Sequence, residues 1–183
     1  MGSDIDAREF LSPRHLQPHR GYLRVLADLG ELTPEEEGWL GTEVEEFLID
    51  LENTAMSKLY KIPTIGAFVR DGRLLEAVSS TEIGRAMQRY YEDPRFHVDM
   101  QDKSSRGFRE WPLEKWVRLA EVNPIHFLDR SSSFFQYDQI NRQLRLAPAV
   151  AARQSSSLIA HMEDILRCRE RSMVARLYKR NSE

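Results

Sequence analysis

The chain has 183 residues, enough for one ordinary domain whose folding buries roughly 70% of the unfolded surface. With 41% hydrophobic residues, three Trp, eight Phe and six Tyr, it is too rich in core-forming side chains for disorder, and it holds no apolar run near the ~18 residues of a membrane span. A lone cysteine, Cys168, excludes an internal disulfide and a thiolate zinc cluster and fits a reducing, cytoplasmic setting. Met1 to Asp6 lacks the basic and apolar regions of a signal peptide.

The net charge of -3 hides an asymmetry. Val25 to Ser57 carries ten acids and no Lys or Arg, while the remainder carries 26 basic against 19 acidic residues, a surplus of seven. From Arg153 onward the chain is most basic, which points to a polar partner on that side.

In chain order, His19 to Leu29 predicts a helix ended by Gly30. Thr33-Pro34-Glu35-Glu36 is a helix start, with Thr33 as N-cap, Pro34 in the first turn and Glu36 completing a capping box. Leu40, Val44, Phe47, Leu48 and Leu51 then form one stripe of a long amphipathic helix. Residues 1–55 therefore read as an acidic helical extension. Shorter elements follow: Ile62 to Arg70, a break at Asp71-Gly72, and an apolar piece at Leu74-Leu75. Ser79, Ser80 or Thr81 caps a helix whose buried face is Ile83, Met87, Tyr90 and Tyr91, and which ends at Asp93-Pro94. Residues 95–111 lack periodicity and read as a basic loop. Pro112 opens a helix burying Leu113, Trp116, Val117 and Ala120, interrupted at Asn123-Pro124. Phe134 to Tyr137 and Gln143 to Leu146 read as a β-hairpin, and a last helix runs from Gln154 to about Lys179.

Helices, then a hairpin, then a further helix is the order of a winged-helix module, in which a recognition helix and a wing present cations to phosphates. The expected fold is mainly α with one β-hairpin: a winged-helix-like domain over 56–183 behind the helical extension. Pro112 to Val122 would be the recognition helix and Phe134 to Leu146 the wing. Arg106, Arg109, Lys115, Arg118, Arg142 and Arg145 are the candidate nucleic-acid-binding residues, with Glu114 and Glu121 diluting their field. Trp111 and Trp116 could stack on bases, although Trp116 lies on the apolar stripe.

Catalytic patterns are thin. No glycine-rich phosphate loop occurs. Glu92, Asp93, Asp99 and Asp102 with Lys103 have only the generic spacing of a metal-dependent nuclease. His97 and His126 lack paired-ligand spacing, and Cys168 sits among arginines as a helix residue. No enzyme activity, metal or cofactor is expected.

Met56 to Pro63, Phe68 to Gly72, Ile83 to Tyr91, Trp111 to Leu128 and Phe134 to Asp138, taken in order and spacing, resemble the C-terminal accessory region of bacterial DEAD/DEAH-type superfamily II helicases, including restriction-like and phage-defence forms. The resemblance covers about residues 45–180 and implies a non-catalytic accessory domain that positions a motor on DNA. None of the family's ATPase or nuclease motifs has a position in this chain. Double-stranded DNA, bound with little sequence preference, and the helicase or nuclease domains of a larger enzyme are then the expected partners. The alternatives are a protein-interaction module, including a homodimer built on the acidic stretch, and a small metal-dependent nuclease. No membrane partner is expected.

Overall fold

The computed structural model describes residues 21–181. Met1 to Asp6, read above for a signal peptide, His19 and Arg20 of the expected first helix, and the last two residues lie outside the described residues. The expectation of a mainly helical chain holds.

Helix α1 (Tyr22–Leu29) stops at Gly30, whose φ of 69° is the left-handed conformation that glycine adopts at little cost. The long helix expected across Thr33 to Leu51 is two helices, α2 (Pro34–Glu37) and α3 (Glu43–Asn53). The capping signal is real, Thr33 and Glu36 closing the capping box of α2, while Thr42, unread in the sequence, accepts from Val44 N to start α3. Between them Gly41 takes a φ of 73°, which no continuing helix allows. The turn is held by Glu45, a buried carboxylate that accepts from Arg24 Nε at 2.5 Å, Arg24 Nη2 at 2.7 Å and Gly41 N at 2.6 Å.

Helix α4 (Lys61–Gly66) leads into β1 (Val69–Arg70) and β2 (Arg73–Leu74). Asp71 and Gly72, both at positive φ, make the tight turn that the Asp-Gly pair signals. A third strand, β3 (Ala77–Ser79), passes directly into α5 (Ser80–Tyr90). Ser79 serves both, pairing with Gln143 and closing a capping box with Glu82.

The expected basic loop of 95–111 is instead three 3₁₀ turns, Pro94–Met100, Lys103–Ser105 and Phe108–Glu110. It buries Phe96, Val98, Met100, Phe108 and Trp111, and its three-residue turns explain why no 3.6-residue period was visible. Helix α6 (Leu113–Ala120) is not interrupted at Pro124 but passes through a π-turn, Glu121–Ile125, into α7 (His126–Ser131). The extra residue in that turn accommodates the proline's missing N–H and its ring.

Strands β4 (Phe135–Asp138) and β5 (Gln143–Leu146) form the expected hairpin, and β5 also pairs with β3. The result is a three-stranded antiparallel sheet in the order β3-β5-β4, so the described residues carry two hairpins where one was expected. After α8 (Pro148–Ala151), helix α9 (Ser156–Asn181) runs back across the molecule. Leu23, Trp39 and Phe47 lie in the same buried cluster as Phe68, Trp116, Phe135 and Leu158, so α9 and the opening helices share a core with the sheet. Each such side chain contributes about 1.5–3 kcal/mol by leaving water. No helix among the described residues is long and apolar enough to cross a membrane.

Candidate nucleic-acid interface

The platform for the candidate cations is the pair α5 and α6. They approach so closely that a Cβ on Gly84 would lie 2.7 Å from Val117 Cγ2 and 2.9 Å from Val117 N. Trp116, 1% exposed, stacks on Tyr91 with ring centroids 5.7 Å apart. Burying that face of α6 leaves Lys115 and Arg118 on its exposed side, as the spacing predicts.

The β4–β5 hairpin is tied to the end of α6. Arg142 Nε and the Tyr137 hydroxyl each donate to Glu121 Oε1 at 2.8 Å, and Ser80 Oγ lies 2.9 Å from the Tyr137 hydroxyl. Burial works to raise the Glu121 carboxyl, but bonds from Arg142, Tyr137 and Ser80 outweigh it and hold the group below its ordinary value. Asp129 Oδ1 accepts from Tyr137 N at 2.8 Å, so α7 grips the same strand. At the hairpin tip Asp138 accepts from the backbone and side-chain nitrogens of Asn141, which stiffens the turn and leaves Ile140 93% exposed.

All six sequence-predicted residues are exposed, but they are not equivalent. Arg142 is committed to Glu121, and Arg145 lies 3.6 Å from Asp138. Lys115 Nζ sits 3.9 Å from the centre of the Trp111 ring, and Arg109 bonds His97 Nδ1 at 3.2 Å. Neither meets a carboxylate among the described residues, and nor do Arg106 and Arg118. Four cations thus remain available to an external anion. Trp111 offers little for stacking, being 9% exposed, covered by Lys115, and bonded through Nε1 to Arg106 O.

Three of the acids in the 92–102 stretch, Asp93, Asp99 and Asp102, make structural bonds. Asp99 is fully buried and accepts from Leu59 N at 2.8 Å and from the Tyr91 hydroxyl at 2.5 Å, joining three segments. Burial pushes its carboxyl up despite these bonds. Asp93 caps the first 3₁₀ turn, and Asp102 pairs with Lys58 at 2.7 Å. Among the described residues no three His, Cys, Asp or Glu side chains are grouped to hold a metal ion.

Part of the basic C-terminal helix is likewise turned inward. Arg169 donates to the carbonyls of Glu52 and Thr54, and Arg176 to that of Met56 at 3.1 Å, satisfying the end of α3 and the segment after it. Arg169 occupies the place where the apolar stripe of α9 drifts, and burial pushes its guanidinium down from its ordinary value. Cys168 is half-buried beside it.

Sequence reading gave Glu121 only a diluting role, although it is the residue that joins helix to hairpin. Its place one turn after Arg118, on the half-exposed side of α6, was the available signal. Comparison with family models, with curated proteins and with solved structures finds no match to this chain.

Proposed function

We propose that the chain is a non-catalytic, winged-helix-like module that binds duplex DNA with little sequence preference. In this reading α5 and α6 are the helix pair, and the β4–β5 hairpin is the wing. The supporting observation is that Glu121 fastens the hairpin to the helix bearing Lys115 and Arg118, within a sheet of order β3-β5-β4. That arrangement holds helix and wing in one relative position, so both can address neighbouring stretches of backbone. A role as the accessory domain of a superfamily II helicase or a restriction or defence enzyme follows from the resemblance in element order, with the motor supplied by another part of the assembly.

Fluorescence anisotropy with a labelled 20-base-pair duplex tests the reading. The chain should bind with a steep salt dependence, and Lys115→Ala with Arg118→Ala should lower both affinity and slope without unfolding. A parent chain that fails to bind at about 20 mM salt, where phosphate contacts are strongest, or a double variant indistinguishable from it, overturns the assignment.

A protein-interaction module is the competing reading. It is favoured by Leu29, 63% exposed at the end of α1, among the exposed acids Glu31, Glu35, Glu37, Glu43 and Glu46. Sedimentation at several concentrations would reveal self-association through that face.

A further inference from the structure

We infer that the cleft between α4, the β1–β2 hairpin and α5 is a second nucleic-acid site, one that takes the phosphodiester backbone of a single strand. The inference shares the nucleic-acid class of the proposed function but rests on different residues. The cleft has a volume of about 690 Å³, and Arg70, Arg85 and Arg89 line it over a floor of Pro63, Gly66 and Ala67. Arg85 and Arg89 stand one helical turn apart, are exposed, and meet no carboxylate among the described residues.

The one carboxylate lining the cleft among the described residues, Glu82, is already committed. It accepts from Ser79 N and Ser79 Oγ in the capping box and from Arg70 at 2.6 Å. Directly across the hairpin from Arg70 stands Arg73, also exposed. Like charges paired across two strands repel, so the rim carries a positive excess that an anion would relieve.

The placement of the cations selects the occupant. Arg70 lines the cleft from the hairpin and Arg85 and Arg89 line it from α5, so a single backbone lying between them meets cations from both walls. Cationic grooves that track a strand through its phosphates are the recurrent solution for single-stranded nucleic acid. The two sites use different sides of α5: Gly84 and Met87 are buried, with Gly84 against Val117 of α6, while Arg85 and Arg89 line the cleft. One chain could therefore hold a duplex and a strand at once, as at the edge of an opened duplex.

The experiment compares three proteins: the parent, Arg85→Ala with Arg89→Ala, and Lys115→Ala with Arg118→Ala. Each is titrated by anisotropy against a labelled 12-nucleotide dT strand and against the 20-base-pair duplex, and each is checked by circular dichroism. The Arg85/Arg89 variant should lose dT binding at least about fivefold, and its salt slope on dT should shrink by about 1.4, from roughly 0.7 counterion per contact on single strands. Its duplex binding should stay within about twofold of the parent's.

Unchanged dT binding in that variant overturns the inference, as does a parent that binds no dT at low salt. Competition by inorganic phosphate as effective as that by an equal phosphate concentration of dT also overturns it, because the site would then take a lone anion and not a strand. If the parent binds dT through Arg85 and Arg89 but binds no duplex, the proposed function fails and this site stands. If only the Lys115/Arg118 variant is affected, and on the duplex alone, the proposed function stands and this site fails.

Discussion

Arg142 Nε donates to Glu121 Oε1 at 2.8 Å across 21 residues of sequence, and this bond makes the hairpin and the helix one unit. Arg142 itself sits at a φ of 51°, uncommon for a residue with a side chain, where the hairpin turn re-enters β5. The pair is more than half exposed on the arginine side, so its contribution to folding is small. Its larger effect is electrostatic, because it neutralises a cation on the face proposed to meet DNA.

Glu121→Gln should therefore strengthen duplex binding. The amide oxygen can still accept from Tyr137 and Arg142, while the negative charge is gone. One additional cation becomes available, and the slope of log K against log salt should steepen by about 0.9. Titrations at four salt concentrations measure this, and a slope equal to the parent's would show that Arg142 lies off the DNA path.

The parent's own slope is set by the census of free cations. Arg106, Arg109, Lys115 and Arg118 meet no carboxylate among the described residues, and four contacts on duplex DNA give a slope of about -3.6. The Lys115/Arg118 double variant should halve it to about -1.8, two contacts remaining. Affinity near physiological salt should lie in the range of about 10⁻⁴ to 10⁻⁶ M typical of non-specific binding, which suits a domain tethered to a motor.

Acid should loosen the start of α5. Bonds from Ser79 N, from Arg70 and from Ser79 Oγ lower the Glu82 pKa from 4.5 to about 2. A carboxylate depressed in the folded state contributes stability that is present above its unfolded pKa and lost as pH falls through the folded one. The window is thus about 4.5 down to about 2, and Glu82→Gln should flatten the decline of the urea midpoint there. Since the group is more than a third exposed, solvent screening keeps this contribution modest. Ser79→Ala should cost about 1 kcal/mol at neutral pH through loss of the cap itself.

How much of this was legible in the sequence depended on the range of the interaction. The capping box at Thr33/Glu36 is a four-residue signal and proved real, and of the three caps left open for α5 the structure takes Ser79, with Glu82 completing a box. The exposed side of α6 followed from its own apolar spacing. Strand β3 could not be read, because three residues acquire strand structure only by pairing with β5, more than 60 residues away. Pro124 misled for a related reason: alone it breaks a helix, but burial of Ile125 and Leu128 holds the chain in a π-turn that carries the helix on. The 94–110 segment hid its core residues in 3₁₀ turns. The joint between Glu121 and the hairpin belongs to tertiary structure altogether, and so does the cleft formed by Arg70, Arg85 and Arg89.

The closest test of the platform itself is Gly84→Ala. In an exposed helix this change stabilises by roughly 0.5–1 kcal/mol, because alanine loses less backbone freedom on folding. Here the new methyl would meet Val117 Cγ2 at 2.7 Å, Val117 N at 2.9 Å and Val117 Cα at 3.0 Å. Two of those atoms are backbone, so rotation of a side chain cannot relieve the contact and α5 must move away from α6. Overpacking of that kind costs about 1–3 kcal/mol, which exceeds the propensity gain. The urea midpoint should fall, and duplex binding should weaken as well where it depends on the α5–α6 pair. A variant as stable as the parent would mean that the two helices separate freely, and the rigid platform assumed for the interface would then have to be abandoned.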